Sequence, residues 1–179
     1  ISQITGTGDG NQFYSLFRDS KGFYWFGGAN GLIRFTDPAG ERHDAIWYRM
    51  GDKTYPLSHN RIRHIYEDKE QQLWIATDGS INRYDYATRQ FIHYNIVDNT
   101  GTYNTNWTYY IFEDTAGQLW ISTCLGGIFV VDKRKLMQST SGQYIAEQNY
   151  SVHNGLSGMF INQIIPDNEG NVWVLLYNN

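Results

Sequence analysis

Four aspartates each stand six residues before a tryptophan: Asp19 and Trp25, Asp68 and Trp74, Asp114 and Trp120, Asp167 and Trp173. Successive tryptophans lie 49, 46 and 53 residues apart. A rigid six-residue unit inside a looser period of about 50 residues means one supersecondary module written four times, with length changes confined to loops.

Each module opens on an apolar or alternating run, "FYSLF", "IRHIY", "YYIF" and "INQII", with period-two contrast in the second and fourth. A tight turn follows, "DSKG", "DKEQ", "DTAG" or "DNEG". Asp accepts backbone N–H groups inside such a turn, and Gly in the fourth place tolerates positive φ. Gln71 stands where the other modules have Gly, so that turn is expected to be altered. Second strands read "FYWFGG", "QLWIAT", "QLWIST" and "NVWVLL"; third strands read "GLIRFTD", "SINRYDY" and "GGIFVVD". A weaker fourth strand is present in "AIWYRM", "QFIHYN" and "YIAEQNYSV".

Four antiparallel strands joined by tight turns make one blade of a β-propeller. The expected fold is all-β, a propeller fragment of about three and a half four-stranded blades over residues 1–179. Blade 1 falls on 11–50, blade 2 on 60–95, blade 3 on 106–151, and the first half of blade 4 on 160–179. The repeated Trp reads as packing between blades. An unclosed array leaves unpaired edges and apolar faces, so self-association is expected. Two copies would supply seven blades and can close one ring; nonspecific association is the plainer alternative.

Composition agrees. Aromatic residues make up 16% of the chain, with 14 Tyr, 6 Trp and only 3 Pro, which favours pleated structure. Net charge is −4, and the one basic cluster, Lys133-Arg134-Lys135, reads as a solvated turn, so no nucleic-acid partner is expected. Cys124 is the sole cysteine, which leaves neither an intrachain disulfide nor a cysteine-based zinc site. No apolar run reaches the roughly 18 residues of a membrane span. No signal peptide is visible. The chain opens at Ile1 without a Met, so it reads as a piece of a longer protein, meeting a membrane only through segments absent from it.

The stretches "LFRDSKGFYWFGGANGLIRFTD", "IYEDKEQQLWIATDGSINRYD", "IFEDTAGQLWISTCLGGIFVVD" and "NGLSGMFINQIIPDNEGNVWV" resemble the two-component regulator propeller repeat over residues 11 to 179. Gln71 for Gly, Ser80-Ile81 for Gly-Leu, and the shortened fourth copy depart from that pattern. The resemblance implies the periplasmic sensor region of a hybrid two-component system of gut Bacteroidetes, anchored in the inner membrane. There, large propellers and a small β-sandwich precede a membrane helix, a histidine kinase and a response regulator that controls polysaccharide-utilisation genes. The implied ligand is an oligosaccharide, and the full-length protein would be a histidine kinase. The chain itself carries no kinase or phosphoacceptor motif.

No catalytic residue, metal ligand or cofactor is expected. "DNEGN" at 167–171 looks like the start of a calcium loop but lacks the later glutamate, and the same turn recurs with Lys or Ala inside it. His43, His59, His64, His93 and His153 show no metal spacing. Cys124, placed where its siblings have Gly28 and Asp78, has no base or oxyanion pattern beside it and reads as an inert small residue. "GTGDGN" reads as a flexible leading loop, and the sequons at Asn106 and Asn149 are short enough to be chance.

Binding remains. In a propeller, first strands line the channel, and the loops after strands two and four open on one face. Those loops are 28–31, 78–80, 124–127, 58–61, 103–107 and 154–162. They and the adjoining strand starts offer Asn30, Asn60, Arg61, Asp78, Asn104, Asn106, Trp107, Phe160 and Asn162 as ligand contacts. A flat apolar face for a pyranose, with amides and charges for its hydroxyls, is what sugar recognition requires. Trp107 stands outside the repeated Trp position; the plainer reading makes it a hydrophobic plug, and the asparagines turn caps. Two alternatives to ligand sensing are a protein-interaction or dimerisation propeller and a lyase or glycosidase on a propeller scaffold. The enzyme needs paired acids or an ordered metal site around the channel, whereas the repeated aspartates sit at the opposite face.

Overall fold

The computed structural model describes residues 12–36, 45–54, 56–140 and 142–177. The "GTGDGN" loop and the outer limits set at residues 11 and 178–179 lie outside the described residues. Blade 1 is β1 (Phe13–Arg18), β2 (Tyr24–Gly28), β3 (Gly31–Phe35) and β4 (Ile46–Tyr48), paired in that order. Blade 2 repeats it with β5 (Ile62–Glu67), β6 (Leu73–Thr77), β7 (Ser80–Asp85) and β8 (Gln90–Tyr94), followed by a short β9 (Ile96–Val97). Blade 3 has β10 (Thr108–Glu113), β11 (Gln118–Thr123) and β12 (Ile128–Asp132), then a helix α1 (Lys133–Gln138), β13 (Tyr144–Ile145) and β14 (Gln148–Tyr150). The last hairpin is β15 (Ile161–Pro166) and β16 (Val172–Leu176).

The six-residue spacing has a cause. Asp19 Oδ1 accepts the N–H groups of Lys21 and Phe23, closing the turn, while Oδ2 accepts the indole N–H of Trp25 at 2.7 Å. The indole bond recurs at 2.9 Å in the pairs Asp68–Trp74, Asp114–Trp120 and Asp167–Trp173. One carboxylate thus fixes both the turn and the buried end of the next strand. Trp25 and Trp74 are fully buried at the seams between blades, Trp25 against Tyr48 and against Tyr84 of blade 2. Burial of a side chain this size contributes on the order of 3 kcal/mol. Trp120 is half-buried, and Trp173, on the last hairpin, is 62% exposed.

A second repeated contact joins blades. Glu67 accepts from Ser20 N and Oγ in the Asp turn of blade 1, and Glu113 accepts from Lys69 N in that of blade 2. The residue following the third strand reaches back as well: Tyr86 donates to Asp19, and Lys133 pairs with Asp68.

Four expectations are corrected. Lys133 begins a helix capped by Asp132, and its ammonium is buried among Asp68, Glu70 and Glu113 at 3.0, 3.0 and 2.8 Å. Burial works against that charge, but the carboxylates outweigh it and hold the pKa above its ordinary value. The solvated turn is therefore wrong for Lys133, because three acids from blades 2 and 3 converge on it. "YIAEQNYSV" splits in two: Tyr144–Ile145 pairs in parallel with β9 of the neighbouring blade, and Gln148–Tyr150 closes blade 3. Gln71 leaves its turn unaltered, adopting φ 61 and donating to Asp68 O as Gly22 donates to Asp19 O. Finally, the first strands do not alternate with period two. Ile62 and Ile65, or Ile161 and Ile164, are buried three apart because each first strand carries one extra residue.

Candidate ligand-binding face

That extra residue is a β-bulge at one register in all four modules. Pairing skips Tyr14 in β1, Arg63 in β5, Tyr109 in β10 and Asn162 in β15, each five residues before its Asp. A bulge breaks the pleat and re-aims the side chain it carries. Two residues earlier, the carbonyls of Gln12, Arg61, Trp107 and Phe160 accept the N–H groups of Ala29, Asp78, Cys124 and Tyr177, 2.9–3.2 Å away. These bonds tie the start of every first strand to the loop after the second, building a rim of three residue sets. They also correct one alignment: Cys124 corresponds to Ala29, not Gly28. Gly28 is needed beside it, since a Cβ there would meet Gln12 O at 2.3 Å.

Arg63 lies at the centre of the described rim. Its guanidinium bonds both oxygens of Asp78, at 2.7 and 3.3 Å, and sits 4.6 Å from the Tyr109 ring and 5.9 Å from the Tyr14 ring. Burial opposes its charge and the Asp78 carboxylate more than offsets that, so Arg63 stays cationic. The Cys124 thiol is hydrogen-bonded to Tyr109, and burial pushes it above its ordinary range. A cavity of about 310 Å³ opens beside them, lined by Tyr109, Cys124, Phe160, Ile161, Asn162 and Tyr177.

The residues expected to bind fall into separate groups. Arg61 is exposed and 3.7 Å from Asp78. Phe160 and Asn162 share the cavity with Tyr109. Asn104, Asn106 and Trp107 line a second, shallower cavity of about 420 Å³ with Tyr103 and Leu125, where Asn104 Oδ1 caps the N–H of Asn106. Asn60 holds a loop by accepting from Met50 N, and the Asn30 carbonyl accepts from Arg49. Trp107 is 48% exposed, its φ is 55, and its backbone is clamped by bonds to Asp78 O and Cys124 N, each 3.0 Å long. Tyr14, Arg63 and Tyr109 escaped the sequence reading; the offset of five from Asp was the signal that could have found them. Among the described residues no group of His, Cys, Asp and Glu could hold a metal, and no helix is long and apolar enough to cross a membrane.

Fold and rim define a propeller assembled from repeated blades, and the two-component regulator propeller repeat matches residues 7–30, 56–79 and 155–178. The chain carries these repeats, each matched span taking in a first strand, its Asp turn and the second strand. Among solved structures, the chain is 99% identical, at TM-score 0.95, to an extracellular domain assigned to the hybrid two-component system BT4673 from B. thetaiotaomicron. The match covers 100% of this chain and 24% of that one. The corresponding domain of BT3049 from the same organism is 22% identical, over 93% of this chain and 22% of its own length, at TM-score 0.72. A virginiamycin B lyase from Staphylococcus aureus, 13% identical over 94% of this chain and 50% of its own, has TM-score 0.58 and shares the fold alone. No curated protein matches the chain. The chain is thus a propeller segment of the kind found in extracellular domains of hybrid two-component systems, spanning about a quarter of the length of its near-identical relative.

Proposed function

We propose that this segment serves ligand sensing in the periplasmic part of a hybrid sensor histidine kinase, and that the ligand is an oligosaccharide whose capture regulates polysaccharide-utilisation genes. Trp107 carries the reading. A non-glycine residue in the left-handed region costs about 1–2 kcal/mol, and strain of this kind collects at functional sites. Here it holds an indole half in solvent beside Asn104 and Asn106, which is the stacking face and hydroxyl-binding surface a pyranose needs. The experiment is calorimetric titration of the full chain with tetrasaccharides of glucose, galactose, mannose, xylose and galacturonic acid. At least one should bind, and Trp107→Ala should weaken it roughly tenfold without unfolding the protein. Absence of binding across the panel overturns the reading, and a melted variant would make Trp107 a structural residue.

Interaction with protein is the second reading, favoured by the exposed apolar side chains of Leu125 and Ile145 in blade 3. Catalysis by this segment has less behind it. The rim carboxylate of Asp78 is already engaged by Arg63, which leaves it poorly placed as half of an acid pair.

A further inference from the structure

The bulges offer more than a rim. Propeller inner strands could line a channel without them, and a bulge sacrifices ladder pairing. Yet one recurs at the same position in β1, β5, β10 and β15, and the residue it re-aims is polar or phenolic each time. We infer that Tyr14, Arg63, Tyr109 and Asn162 form one recognition row at the channel mouth, and that it grips a single polyhydroxylated ring of the ligand. The inference rests on the oligosaccharide reading and adds a subsite distinct from Trp107.

The chemistry is laid out in order along the row. Tyr14 and Tyr109 flank the Arg63 guanidinium, their ring centres 5.9 and 4.6 Å from its central carbon. Arg63 spends two N–H groups on Asp78 and has others to donate, while the Asp78 oxygens keep lone pairs to accept. Donor and acceptor therefore sit side by side, the pattern that neighbouring hydroxyls of a sugar ring present. The cavity of about 310 Å³ is lined by Tyr109 and by Asn162, whose amide can both donate and accept. That volume is at the small end of ligand pockets, suited to one ring rather than an extended chain.

The test uses the full chain and the same five tetrasaccharides. Asn162 is exposed, so Asn162→Ala should fold normally, and Tyr109→Phe removes only a hydroxyl. For any tetrasaccharide that binds, each variant should weaken affinity about fivefold to tenfold, and the Asn162 side-chain amide resonance should shift on titration of the unaltered protein. Binding that is weakened by Trp107→Ala, with Asn162→Ala and Tyr109→Phe unchanged and the Asn162 amide unmoved, overturns the row and leaves the oligosaccharide reading standing. If no tetrasaccharide binds, both are overturned.

Discussion

A single carboxylate does the work of two residues in each module. Asp19 closes a turn with one oxygen and holds the Trp25 indole with the other, which is why the interval never varies. The interval was plain in the sequence, but the indole bond was not, since a Trp on a strand is usually explained by packing alone. Gln71 shows how strong the unit is: it forces a side chain into the left-handed conformation that Gly22, Gly117 and Gly170 adopt elsewhere. Gln71→Gly should accordingly stabilise the protein by about 0.5–1 kcal/mol, because relief of strain exceeds the added entropy of the unfolded chain. A raised urea midpoint with unchanged slope is the expected result. His64 supplies a pH dependence. It stacks on Tyr110 with ring centroids 3.9 Å apart, and its Nδ1 accepts the N–H of Ile111. Burial lowers its pKa to about 4, so the unfolded chain takes up the proton first. The stabilisation is complete above about pH 6.5 and is lost as pH falls toward 4, on the order of 3 kcal/mol in all. Urea melts from pH 7 to pH 4 should show that loss, and His64→Phe should remove its share.

At the scale of elements, Lys133 opens α1 yet belongs to the seam between blades 2 and 3. Its neighbours Asp68 and Glu113 are themselves buried, so Lys133→Met strands two carboxylates and should cost about 3–5 kcal/mol. Thermal unfolding reads this directly, and a small loss would mean that water replaces the ammonium. Strand order was legible, because turns and apolar runs alternate at short range. What failed was anything that depends on a neighbouring blade. Lys133 looked solvated because its three acids lie at 68, 70 and 113, and Tyr144–Ile145 looked like blade 3 although it pairs with Ile96–Val97. Of the rim, Arg61, Asp78, Trp107, Phe160 and Asn162 were found from loop positions. Arg63 and Tyr109 were not, because a bulge is a fault in periodicity and "IRHIY" was read as regular alternation.

Across the whole molecule, the two ends of the array are apolar. Phe13 and Leu16 are exposed on β1, and Ile165, Trp173 and Leu175 on the last hairpin. We expect the isolated chain to self-associate through these faces, and Trp173→Glu to shift the mass seen by light scattering toward monomer. An unchanged mass would place the contact elsewhere. The seams within the array are unequal. Blades 2 and 3 are joined by the Glu113 contact, the Lys133 cluster, the β9–β13 pair and the clamp on Trp107. Toward the last hairpin, Pro166 stands where Glu67 and Glu113 stand, and a prolyl ring has no carboxylate to offer. The joint that carries the cavity between Tyr109 and Asn162 therefore rests on the apolar cluster of Phe112, Ile128, Ile161 and Ile164 rather than on a carboxylate bridge. A guest seated there would bridge that seam, supplying between blade 3 and the hairpin the polar tie that Pro166 withholds.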